Sequence, residues 1–393
     1  MGPSPGIPRG VWMLGFVSLF MDVSSELIHS LLPVFMVVSL GATALMVGVV
    51  EGVAEATALI VRVFSGAVSD WLGKRKGLTV LGYGLGAVSK PLFALALTVH
   101  WVFVARFMDR IGKGIRGAPR DALIADLTPP EIRGAAYGLR QSLDTAGAFV
   151  GPLLAIGLMV LWAGDFRAVF WFAVIPGILS VLILLFGVQE PHAETARVRP
   201  TSPVHWRSLS EFSSAYWWVV AAGGVFTLAR FSEAFLILRA QQLGLAASFA
   251  PLVLVIMNVV YAASAYPAGR LADRMSHNKL LAGGLAVLVL ADIVLAQAQG
   301  LAAVGVGVAL WGLHMGMTQG LLAAMVAGAA PAHLRGTAFG FFNLVSGVAM
   351  LIASILAGLL WDELGVAVTF YAGAAFSVLA LALLMLRRSP GVS

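Results

Sequence analysis

Seven charged side chains fall between residues 106 and 121 of an otherwise apolar stretch: Arg106, Asp109, Arg110, Lys113, Arg116, Arg120 and Asp121. Wound as an α-helix, at about 100° per residue, they occupy an arc of roughly 140°. Met108, Ile111, Ile115 and Pro119 fill the opposite arc. A face of this kind can bind an anion, pair with carboxylates on neighbouring helices, or exchange an ion pair for a proton. Desolvation favours the neutral form of a carboxylate and a nearby cation favours the ionised form, so the two compete. Suitable carboxylates recur at helical spacing. Asp22, Glu26 and His29 share one face, as do Glu51, Glu55 and Arg62, and Arg140 and Asp144 are four apart.

The elements that carry these groups are set by composition. The chain has 393 residues, 60% hydrophobic and 11% charged, where soluble proteins average about 25% charged. Apolar runs of the length needed to span a bilayer, about 20 residues, recur throughout. This predicts an all-α membrane protein lying in the lipid bilayer. Three prolines in residues 1–10, with no small-residue cleavage site following, argue against a secretory signal. There is no Cys, which excludes disulfides, thiolate metal sites and Cys nucleophiles. No nucleic-acid motif accompanies the net charge of +6.

Twelve transmembrane helices are expected, at 11–36, 44–69, 77–98, 101–124, 134–160, 168–188, 212–238, 249–270, 279–297, 301–325, 336–360 and 367–386. With the N-terminus in the cytoplasm, fourteen Lys and Arg lie in cytoplasmic segments, and only Arg167 and Arg239 lie in outer loops. That asymmetry places both termini inside, in the inner (cytoplasmic) membrane. The polar, Pro-rich stretch 189–211 reads as a cytoplasmic linker between bundles at 1–188 and 212–393. The halves repeat. Gly66-x-x-x-Asp70 returns as Gly269-x-x-x-Asp273, and Pro129-x-x-x-Arg133-Gly134-x-x-x-Gly138 returns as Pro331-x-x-x-Arg335-Gly336-x-x-x-Gly340. Two motifs at nearly one offset argue for two pseudo-symmetric six-helix bundles.

The stretch GAVSDWLGKRK, Gly66 to Lys76, resembles the G-x-x-x-D-x-x-G-R-K-R loop of the major facilitator superfamily, with Trp71 at a common Arg position. GRLADRMSHNK, Gly269 to Lys279, is a weaker second copy. Arg110-IGK-Gly114-IRG is similar to that family's R-x-x-Q-G-x-G-A element in helix four, with Lys113 in place of Gln. Gly147-AFV-Gly151-Pro152 resembles the opening of a Gly-Pro element of its antiporter branches, without the closing Gly pair. The resemblance implies alternating-access transport and leaves the substrate open. It also implies that Gly66, Asp70, Gly73, Lys74, Arg75, Lys76 and Asp273, with Arg120 and Asp121 nearby, form a cytoplasmic gate. In that family, helices one, two, four and five line the N-terminal half of the cavity.

A charge within the bilayer core is costly and normally faces protein interior or water. Spans one to six carry eight basic and seven acidic residues, so mutual pairing is the economical arrangement, above all for Arg106, Arg120, Asp121 and Glu55. The functional reading assigns proton coupling to Asp22, Glu26, Arg110, Lys113, Glu51 and Asp144. Trp311, Gly312 and Met315 occupy the positions that match Asp109, Arg110 and Lys113 in the second half. Substrate contact is therefore expected from Arg116, Arg140, Arg230, Glu233, Asn258, Tyr261, Trp311, His314, Gln319 and Asn343. HMGMTQ, His314 to Gln319, could suit a soft metal, but adaptable Met packing is the plainer reading, and no metal or other cofactor is expected. Gly112–Gly117 lacks the spacing of a phosphate-binding loop.

The leading expectation is a monomeric, proton-coupled exporter of a small organic compound. The alternative is uptake of an anionic solute, suggested by the five cations of span four. A sensor on a transporter scaffold is disfavoured by terminal tails of about ten and seven residues. No Ser-His-Asp, HExxH or paired-Asp signature points to an enzyme.

Overall fold

The structure, a computed structural model, describes residues 6–72, 75–190, 210–272, 274–331 and 334–386, without the side chains of Ala67, Asp70 and Leu386. Every regular element among the described residues is helical. In chain order the first seven helices are α1 (Arg9–His29), the short α2 (Leu32–Val34) running into a π-helical turn (Phe35–Ser39), α3 (Ala44–Leu72), α4 (Arg75–Leu95), α5 (Val99–Leu127), α6 (Arg133–Leu161) and α7 (Phe166–Gly187). Then come α8 (Ser214–Leu228), α9 (Ala234–Gln242), α10 (Leu252–Ala272), α11 (His277–Gln297), α12 (Leu301–Ala329), α13 (Arg335–Leu364) and α14 (Val366–Leu386).

Among the described residues, ten helical stretches are long and apolar enough to cross a membrane. Two expected spans are not among them, for different reasons. Helix α5 has the length, 29 residues, but carries the charged face described above. The expected span 212–238 is corrected: it is broken into α8 and α9, with residues 229–233 outside either helix. Arg239, expected in an outer loop, instead lies buried in α9 and donates to the carbonyls of Leu295, Ala296 and Ala298 at the end of α11. It satisfies acceptors that a helix C-terminus leaves open. Arg167 does the same for α4, donating to Ala96 O at 2.9 Å.

The chain divides into two compact units, Met1–Phe35 with Thr57–Pro203, and Met36–Ala56 with Val204–Ser393. In the first, α4 packs on α5 and α7, and α1 packs on α6 and α7. In the second, α11 packs on α12 and α14, and α8 packs on α13 and α14. Both bounds of α4 and of α5 recur 202 residues later in α11 and α12. The α4–α5 seam is tight because it is built on glycine. A Cβ on Gly82 would come within 2.7 Å of Gly112 O and of the Arg116 backbone nitrogen. Small residues at such a seam let two backbones, and the groups they carry, approach closely.

Candidate functional site

The charged face of α5 turns inward, into the first unit, and its charges sort into three groups. The first is centred on Asp109, which is 2% exposed. Lys90 Nζ from α4 lies 2.7 Å from Asp109 Oδ1 and donates also to Ser25 Oγ of α1 at 2.9 Å. Arg110 Nε is 3.2 Å and Arg106 Nη1 3.9 Å from Asp109 Oδ2. Three cations from two helices thus surround one carboxylate, with almost no water access. Removing any one partner would leave a buried charge poorly compensated, so the group is rigid by construction.

The second group gathers on Tyr83, in α4. Its hydroxyl lies 3.2 Å from Ser18 Oγ and accepts from Arg120 Nη1 at 3.3 Å. Arg120 donates to Ser18 as well and pairs with Asp121, Nη2 to Oδ1 3.1 Å. The Arg116 guanidinium lies over the Tyr83 ring, 4.8 Å from its centre, in cation–π geometry. Asp121 also faces Arg62 at 3.7 Å, and its carbonyl accepts from Tyr137.

The third group is the more open one. Lys113, at the middle of α5, is exposed. Asp22 and Glu26 of α1 and Asp144 of α6 lie within its electrostatic reach. Asp22 and Asp144 lie within electrostatic reach of one another. Asp144 is held in addition by Arg140, at 2.9 Å, and Glu26 by His29, at 3.3 Å. The approach of α6 to α1 that makes this meeting possible runs over Gly147 and Gly151, where a Cβ would come within 3.0 Å of Asp22 Cβ and 2.9 Å of Glu26 Cβ.

Of the residues expected to couple protons, the structure brings Asp22, Glu26, Asp144 and Lys113 together. Arg110 is instead bound into the Asp109 group. Glu51 is fully buried in the second unit. Of the expected gate, Gly66 packs on Ala118 of α5, Arg75 bonds Ala122 O and Asp126, both at 2.7 Å, and Lys76 donates to Leu185 O at the end of α7. Gly73, Lys74, Asp273 and the Asp70 side chain lie outside what the structure describes.

In the second unit, Arg230 sits in the break between α8 and α9, with Glu233, Tyr261 and His314 in electrostatic range. Its guanidinium lies 5.9 Å over Phe226, whose ring is 5.4 Å from that of His314. Trp311 stacks obliquely on Phe231 at 5.3 Å. Asn258 and Asn343 are half-buried and Gln319 is exposed. Sequence reasoning missed Tyr83, Ser18 and Ser25 as members of the network. A hydroxyl-bearing aromatic set among the glycines of Gly82-Tyr83-Gly84-Leu85-Gly86 was the available signal.

A duplicated helical membrane scaffold with an ion-paired interior defines a class, the polytopic solute transporters. The family model of the Major Facilitator Superfamily matches residues 14–353 and 232–393, and the chain belongs to that superfamily, a family of transporters and not of enzymes. An MFS-type transporter of Methanocaldococcus jannaschii is 30% identical over 96% of this chain and 95% of its own length. The multidrug resistance protein MdtH of Photorhabdus laumondii is 30% identical over 162 residues, 41% of this chain and 39% of its own. Among solved structures, the nucleoside transporter NupG superposes with a TM-score of 0.79 at 13% identity, covering 96% of this chain and 99% of that one. A bacterial homologue of the lysosomal transporter Spinster reaches 0.78 at 15%, over 99% and 100%. These two likenesses concern the fold alone.

Proposed function

We propose that the protein moves a small organic compound out of the cell in exchange for protons, by alternating access. It does so as a monomer of twelve spans, in two six-helix bundles, in the inner membrane with both termini cytoplasmic. The observation that carries the coupling is the third group: an exposed Lys113 at mid-span facing Asp22, Glu26 and Asp144 from two other helices. A cation without a close partner can pair with whichever carboxylate has lost its proton. Loading one proton then frees the lysine for another partner, and the ion pair and the proton alternate. Export is supported by the partial match to MdtH and by Gly147, Gly151 and Pro152. Uptake of an anionic solute is the second reading, supported by the five cations of α5.

A thermal-shift screen on purified protein would find a ligand, and inverted vesicles would then test direction. Under export, acidifying the lumen drives that ligand inward, whereas uptake gives no such accumulation. Asp22→Asn and Glu26→Gln proteins should lose the normal pH dependence of transport. Unchanged pH dependence in both would remove these two carboxylates from the coupling step.

A further inference from the structure

Two side chains of α12 end in polar atoms that no other group among the described residues satisfies. Trp311 and His314 are 1% and 0% exposed. Among the described residues, Trp311 Nε1 and His314 Nε2 have no hydrogen-bond partner. They are three residues apart and so share one face of the helix. Their chemistry is complementary. An indole N–H only donates. His314 Nδ1 lies 2.8 Å from Gly284 O, and a carbonyl oxygen only accepts, so Nδ1 carries the hydrogen. In the neutral ring Nε2 is then a free acceptor. An unmet donor and an unmet acceptor in a dry interior are each unfavourable, and natural proteins keep few of them.

The walls are aromatic: Phe226 lies 5.4 Å from the His314 ring and Phe231 lies 5.3 Å from Trp311. Phe226 lies just before the break at 229–233 and Phe231 within it, where the chain has given up its helical ladder. A planar group admitted here would stack on such rings. Through its own acceptor and donor it would satisfy Trp311 and His314 together.

We propose that Trp311 Nε1 and His314 Nε2 form a donor–acceptor pair that recognises a planar amide or lactam group on the transported compound. The inference rests on the proposed transport of a small organic compound and on the expected substrate contacts of Trp311 and His314. It names the chemical class that those contacts select. A site built to bond such a group rejects analogues that lack one of its two partners.

The test uses fragments and needs no transport, so its outcome is separate from that of the vesicle assay. Thermal shift and ligand-detected NMR on the purified chain would compare benzamide, N,N-dimethylbenzamide, benzoate and toluene. Benzamide should bind at least about tenfold more tightly than any of the others, given the cost of one unmet buried hydrogen bond. His314→Phe should erase the preference for benzamide over its dimethyl analogue, and Trp311→Phe should erase the preference for the dimethyl analogue over toluene, while toluene binding stays. Equal binding of benzamide and its dimethyl analogue to the unaltered protein would overturn the proposal, even if neither variant folds. A preference for benzamide over its dimethyl analogue that survives in His314→Phe would overturn it too.

Discussion

At the scale of single residues, Asp109 and Asp292 are opposite cases. Both are buried carboxylates, 2% and 0% exposed. Asp109 has Lys90, Arg110 and Arg106 within 4 Å, and Lys90 has Asp109 alone as its ion-pair partner among the described residues. Asp109→Asn should therefore cost more than Lys90→Met in thermal unfolding, with losses of about 3–5 kcal/mol for removing a central partner. Equal losses would show that the arginines contribute little. Asp292 has no hydrogen-bond partner for either oxygen among the described residues. Its Oδ2 sits where a side chain at residue 373 would begin, since a Cβ on Gly373 would come within 2.7 Å of it. Replacing it with leucine removes an unsatisfied buried polar group while keeping the branching and the number of heavy atoms. Asp292→Leu should keep or raise the unfolding temperature, and Gly373→Ala should lower it. A loss of more than about 1 kcal/mol in Asp292→Leu would reveal a partner for this carboxyl that its surroundings do not show.

At the scale of elements, helix ends are secured by side chains, some of them from other helices. Asp165 caps α7 by accepting from the backbone of Arg167 and Ala168, and Asp362 takes the first two N–H groups of α3, at 3.1 and 2.8 Å. Arg239 meets three carbonyls from a buried position and Arg167 one from an exposed position. Arg239→Met should accordingly destabilise by about 1–3 kcal/mol and Arg167→Met by less. Hydrogen exchange at residues 295–298 would show the loss locally in the first variant and not in the second. Which elements were legible in the sequence follows from what apolar content reports. The expected spans 77–98 and 101–124 correspond to α4 and α5 within a few residues, because long apolar runs and charged faces both register lipid burial. The break at 229–233 left no such mark: it holds no Pro or Gly, and its flanks are as apolar as a continuous span. Conversely, Pro91, Pro119 and Pro152 lie inside helices that continue past them. Spacing put Asp22 and Glu26 on one helix face and Arg140 and Asp144 on another. That Arg110 is held by Asp109 depends on Lys90 arriving from α4, a tertiary fact that no single-helix periodicity contains.

At the scale of the whole molecule, the charge asymmetry between loops makes a direct prediction. The chain has no native Cys, so a single introduced thiol is a clean reporter. Ala246→Cys, exposed between α9 and α10, should react with an impermeant maleimide in intact cells. Glu131→Cys, exposed between α5 and α6, should react only after the membrane is opened. The reverse pattern would invert the topology. The repeated helix pairs bear on something further. The pair α4 and α5 and the pair α11 and α12 share lengths and packing partners in their own units, yet one interior is salt-bridged and the other aromatic. Register is thus carried by backbone and small residues, and recognition by what projects from them. A lineage could exchange the aromatic lining for another without disturbing the ion pairs. Selectivity and energy source would then be free to change at different rates.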